Sequence, residues 1–215
     1  MNYGLFLAAY ERTKDLMKKL LMLLSVALLA GCSSQSNQPA PKPEPEPPQL
    51  LSGRSAFQQL YISARSWAVD ARPYRLQSAA VGDNKGKDGK AVVWQAGFAS
   101  PAQRLSREYS WSGIDSPEAP SRGVSHGAQD PYTPGSDFDV QFLKVDSDKG
   151  FEIAQKHGGD KVLHDDPSTP VIYLLEWSRP TNNLIWHVIY GNSRNAAKLV
   201  VDVDASTSEF LRKEK

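Results

Sequence analysis

The sequence predicts an α+β protein: two tandem units, each a helix packed on a small antiparallel sheet, behind a disordered proline-rich tether. Three observations carry that prediction. Phe57, Leu60, Tyr61, Ala64, Trp67 and Ala68 form one stripe at helical spacing, and Pro73 stops it. Two strand pairs, 91–99 with 103–111 and 170–177 with 184–190, each turn at a Ser-Pro or Arg-Pro step. Sliding the chain by 79 residues lays the first pair on the second without a gap.

At the front, Lys18-Lys19 precede an uncharged run, Leu20 to Leu29, that is shorter than the ~20 residues a permanent membrane-spanning helix needs. Lysines followed by a short apolar run are the two parts of a secretory signal. The run ends in Leu29-Ala30-Gly31-Cys32, which resembles the lipobox of bacterial lipoproteins. The resemblance implies cleavage between Gly31 and Cys32, and a lipid on the Cys32 thiol that attaches the protein to the membrane. Cys32 is the single cysteine of the chain, so no disulfide is expected although the compartment would permit one. Residues 1–31 thus read as a signal peptide, with translation starting either at Met1 or at Met17, where the charged front of the signal begins. They hold four of the 25 basic and two of the 24 acidic residues, so the remainder is nearly neutral. That balance argues against a nucleic-acid partner.

Residues 32–52 read as a lipidated linker. Ser33 to Gln38 are polar, and from Pro39 to Pro48 proline recurs at nearly every second position, which favours an extended spacer of ~3.1 Å per residue. Ser33 after the cysteine, in place of aspartate, resembles lipoproteins sent on to the outer membrane, facing the periplasm.

Ser55 is the expected N-cap of the first helix, and a short strand is expected over 74–79. Gly82 to Gly89 lacks the spacing and following helix of a phosphate cradle and reads as a polar hairpin loop. From 112 to 137 periodicity disappears. Prolines 117, 120, 131 and 134 alternate with glycines 113, 123, 127 and 135, giving an expected irregular loop. Order returns with a strand over 139–145, then a short helix capped by Asp146-Ser147-Asp148 and ended at Gly158-Gly159. The strongest strands follow at 170–177, 184–190 and 199–204. The last places Leu199, Val201 and Val203 on one face and Val200, Asp202 and Asp204 on the other, the expected solvated face of an edge strand.

The repeat aligns Val92 with Val171, Trp94 with Tyr173, Phe98 with Trp177, Leu105 with Leu184 and Trp111 with Tyr190. The second copy is similar to a PepSY-like domain. The residues that carry this are Lys144-Val145-Asp146-Ser147 before the helix, Gly158-Gly159 after it, the strand ending at Trp177, Leu184 to Tyr190, and Val201-Asp202-Val203-Asp204-Ala205-Ser206-Thr207. Ser208 stands where that family carries glycine. The resemblance covers 138–215, with a degenerate echo in 53–111, and implies a helix on an antiparallel sheet in a secreted or tethered interaction module without catalytic residues.

Direct evidence of chemistry is sparse. His187 lies between Trp186 and Val188 in an apolar strand and reads as a hydrogen-bonded core histidine. His157 sits at a helix end, and His126 in the long loop. His164-Asp165-Asp166 has metal-ligand residue types, but neighbours in an extended chain point to opposite sides and chelate poorly. Asp202 and Asp204 share a face but read as solvated. No catalytic, cofactor-binding or metal-ligating residue is assigned. The expectation is a lipid-anchored cell-envelope protein that binds a peptide or envelope protein and is not an enzyme. The alternative is an envelope hydrolase whose catalytic residues are scattered along the chain.

Overall fold

The first helix, α1 (Gly53–Trp67), buries Ala56, Phe57, Leu60 and Ala64, the stripe expected from the spacing. The structure, a computed structural model, describes residues 46–133 and 135–214. The signal segment, Gly31, Cys32 and most of the 32–52 linker lie outside them. Ser52 holds the N-cap position of α1, three residues ahead of Ser55, and the cap comes from far along the chain. Asp146 accepts from the Ser52 hydroxyl (2.7 Å) and the Arg54 amide (2.8 Å), and Ser147 Oγ accepts from the Gly53 amide (2.7 Å). Asp146 is also the N-cap of the second helix, α2 (Ser147–Ala154), accepting from the Ser147 amide. One carboxylate thus serves two helix starts, where unpaired amides and the positive dipole ends favour an anion.

After α1 come β2 (Arg72–Ala79), β4 (Val93–Ser100), β5 (Leu105–Ser112) and β6 (Gly123–Pro131). Two short strands, β1 (Leu51–Ser52) and β3 (Lys90–Ala91), pair separately. After α2 and α3 (Asp160–Asp165) come β7 (Val171–Ser178), β8 (Asn183–Tyr190), β9 (Leu199–Asp204) and β10 (Phe210–Lys213). The other eight strands form one antiparallel sheet in the order β10-β9-β8-β7-β2-β4-β5-β6. Its centre is the pairing of β2 with β7, Leu76 opposite Leu175.

The two expected units therefore share one sheet. Each half is a helix followed by a four-stranded meander, and the first strands of the two meanders pair with each other. This corrects the register of the repeat. The 79-residue shift superposes β4 on β7 and β5 on β8, whereas by order in each meander β4 corresponds to β8 and β5 to β9. Composition misaligned the halves because every hairpin here has an apolar face of similar make-up.

Three further expectations change. Residues 139–145 form a 3-10 turn (Val140–Phe142) instead of a strand, because the Asp139 carboxylate accepts from the Gln141 amide and turns the chain. Gly158 (φ 108) kinks the helix, which resumes as α3 instead of ending. The 112–137 segment contains β6, a nine-residue strand at the sheet edge.

Both helices contribute to one apolar layer on one face of the sheet. Val171, Tyr173, Leu184, Trp186 and Val188 are all buried there. Trp94 and Trp186 meet edge to face at 6.4 Å, and their ring N–H groups donate to the Leu51 and Val145 carbonyls, so neither indole is left unpaired. On the opposite face Ile172, Leu174, Ile189 and Val200 pack with Ala197 from the β8–β9 connection.

Candidate functional site

Beside that second apolar cluster, on the same face, lies a charge network centred on two buried groups, His187 and Asp202. Alternation along β7, β8 and β9 places Glu176, His187 and Asp202 on one side as cross-strand neighbours. His187 Nδ1 lies 2.5 Å from Asp202 Oδ1, and its Nε2 lies 3.3 Å from Glu176 Oε1. His187 and Asp202 are both buried. Arg194 donates to Glu176 (2.8 Å) and to both oxygens of Glu214 (2.8 and 2.5 Å). Arg212 donates to Asp202 (2.9 Å) and Glu214 (3.1 Å).

The expected core histidine is thus confirmed, and the expected solvated aspartates are corrected. β9 is an interior strand, flanked by β8 and β10, and both Asp202 and Asp204 are buried. Asp204 accepts from Asn183 and from the amides of Ser206 (2.7 Å) and Thr207 (2.9 Å). Burial opposes its charge most strongly, but these bonds together hold its pKa below the usual carboxylate value.

Each nitrogen of His187 faces a carboxylate, an arrangement that favours the imidazolium. Burial alone would lower its pKa. The hydrogen bonds to Asp202 and Glu176 outweigh that effect and raise it. Glu176 is pushed down chiefly by its bond to His187, and Glu214 is brought down to about 2 chiefly by Arg194. With His187 charged, three cations balance three carboxylates. His187, Asp202 and Glu214 place ligand-type atoms within 4.8 Å of one another. Their charge, however, is already matched by the two guanidiniums, which suits an ion-pair network better than a metal site. An imidazolium with both nitrogens committed has no free lone pair to act as a general base.

The other histidine sites are separate. His164 and Asp165 lie on exposed α3, while Asp166 pairs with Lys198 at 2.6 Å. His157 stacks on Phe210 at 3.7 Å. The Gly82–Gly89 loop lies against the core. Tyr173 donates to the Gly86 carbonyl and accepts from the Gly89 amide.

Among the grooves that border α1, two are the largest. One of about 490 Å³ lies between its first turns and the 140–146 segment, but its charged groups serve the structure: Asp146 caps both helices and Arg54 donates to the Lys144 carbonyl. The other, about 390 Å³, runs between Ser63 and Trp67 of α1 and Val124 and His126 of β6, over Arg107 and Tyr109 of β5. The Arg107 guanidinium lies over the Trp67 ring at 5.4 Å. Gln129, its amide oxygen turned inward, accepts from Arg107 Nη2 (3.0 Å) and Trp67 Nε1 (3.2 Å). Tyr109 and His126 are in ring contact at 5.8 Å. The sequence alone shows 112–137 as an irregular segment and does not show that Trp67, Arg107 and Tyr109 meet it, since only the β5–β6 pairing and the packing of α1 bring them there.

Among the described residues, no helix is long and apolar enough to cross a membrane. No family model matches the chain, and no curated protein matches it. A solved structure from Clostridium difficile 630, described as a "putative lipoprotein", is similar at 10% identity. The match covers 80% of this chain and 95% of that one, with a TM-score of 0.46.

Proposed function

We propose that this chain is a lipid-anchored cell-envelope protein, PepSY-like in its C-terminal half, that acts by binding a peptide or envelope protein and not by catalysis. The observation that carries the binding reading is β6. A segment without apolar periodicity forms an exposed edge strand beside a groove lined by aromatic side chains and a cation. Recognition commonly sits on such segments when a rigid scaffold holds them. The non-catalytic reading is supported by the His187 network, whose ring nitrogens both face carboxylates. Anchoring rests on Lys18-Lys19, the apolar run and Leu29-Ala30-Gly31-Cys32, and Ser33 directs the proposal to the outer membrane, facing the periplasm.

Metabolic labelling with a fatty-acid analogue tests the anchor. The wild-type protein incorporates label, and Cys32→Ser remains an unlabelled, uncleaved precursor, because a hydroxyl does not replace the thiolate in lipid transfer. Label on Cys32→Ser would refute the lipoprotein reading.

A further inference from the structure

The two edges of the sheet are built differently. β10 is four residues long, has an irregular register between Phe210 and Arg212, and carries Arg212 and Lys213. Short length, irregularity and cations are the devices that keep an edge from pairing. β6 also has one register shift, opposite Arg107–Tyr109, and ends at Pro131, but it is nine residues long, carries no lysine or arginine, and is exposed along most of its length. Its backbone is nearly bare. A Cβ added at Gly123 would meet nothing within 4 Å, and one at Gly127 would meet only the Glu108 carbonyl at 3.9 Å. Among the described residues β6 pairs with β5 alone, so its outer amides and carbonyls have no strand partner.

The groove lies along this same strand. Val124 is opposite Trp111, His126 opposite Tyr109 and Gln129 opposite Arg107, so these three β6 side chains share the helix-bearing face, and Val124 and His126 border the groove. Val124 is 41% exposed, an apolar side chain on the groove wall. No acidic residue lines the groove, and no carboxylate pairs with Arg107 among the described residues. The Arg107 Nε is closed to solvent and has no hydrogen-bond partner.

We infer that β6 binds its partner by strand addition: an extended peptide pairs with the free edge as a ninth strand, placing an apolar and an acidic side chain, two residues apart, in the groove between α1 and β6. Main-chain pairing supplies affinity that depends little on sequence, and the groove supplies selection at alternate positions. The acidic side chain is chosen by Arg107, whose guanidinium has no carboxylate partner among the described residues, and the apolar one by Val124 and Trp67. This inference rests on the binding reading above and specifies its ligand.

The test uses the full-length protein and two synthetic octapeptides, one repeating Thr-Val-Thr-Glu, which sets Val and Glu two residues apart on one strand face, and a control with Lys in place of Glu. Amide hydrogen exchange is followed across the chain. The acidic peptide slows exchange within 123–131 and the lysine peptide does not. Val124→Glu and Val124→Lys alter the same exposed site, so equal loss of folding would affect both alike. The expected result separates them: Val124→Glu weakens the acidic peptide about tenfold, while Val124→Lys binds it at least as well as the wild-type protein. Protection elsewhere on the molecule would overturn strand addition and leave the broader binding reading standing. Equal binding of both peptides would overturn the assignment of Arg107. Protection of 123–131 that grows with protein concentration without peptide would make a second copy the occupant and overturn the inference. No protection with either peptide would overturn it as well.

Discussion

At His187 the geometry makes a pH dependence that can be measured. The ring donates to two carboxylates in a buried setting, so its pKa lies above the ordinary 6.5. A histidine with a raised folded pKa contributes stability that is complete below the unfolded value and is lost as pH rises through the folded one. Glu176 and Glu214 have the opposite sign. Their contributions are present above about 4.5 and are lost as pH falls, for Glu214 towards about 2. The groups facing His187 from neighbouring elements are Glu176, Asp202, Arg194, Arg212 and Glu214, so its charge completes a balanced set. We predict that the wild-type melting temperature is highest near pH 5–6, between those two limits. His187→Gln lowers stability there by about 3–5 kcal/mol, the usual effect of removing one partner from a buried ion pair. The variant also loses the decline above neutral pH. A difference between wild type and His187→Gln that stays constant from pH 5 to 9 would contradict this assignment.

A second prediction belongs to an element, the turn between β9 and β10. Ser208 has φ 66, the left-handed region, and its amide donates to the Asp204 carbonyl (3.0 Å). This is the position where the PepSY-like pattern carries glycine. Ser208→Gly removes the Cβ conflict and raises stability by about 1 kcal/mol, read by denaturant unfolding. Loss of stability would show that the serine is favoured there.

At that turn the sequence offered only the PepSY-like resemblance, in which Ser208 takes the place of a glycine. The α1 stripe and the core strands β7 and β8 were legible because each buries a continuous apolar face. β6 was not, because an exposed edge strand needs no apolar alternation, and its glycines and flanking prolines read as loop punctuation. Residues 139–145 had a strand-like pattern that Asp139 overrides with a local cap. Asp202 and Asp204 read as exposed because alternation shows which residues share a face but not whether something covers it. Here His187 and Arg212 supply partners for Asp202 from 15 and 10 positions away, and Asn183 one for Asp204 from 21. The groove was hidden for the same reason, since Trp67, Arg107 and His126 meet only in three dimensions.

At the scale of the molecule, residues 46–214 place two helices over one face of a single eight-stranded sheet, with an ion network and a smaller apolar cluster on the other. One edge is short and guarded by cations, and the other is long and bare. A core of this kind keeps β6 rigid, and rigidity limits the ordering a partner must undergo on pairing with it. The central claim is that the envelope-anchored protein makes contact through this edge. Site-specific photocrosslinking in living cells tests it most directly, with a photoreactive residue placed either at position 124, on the wall of the groove, or at position 164, on exposed α3. The account predicts a discrete crosslinked product from position 124 that is absent from 164 and is lost when Cys32→Ser removes the anchor. Equal products from both positions, or none from 124 in cells that retain the anchored protein, would contradict it.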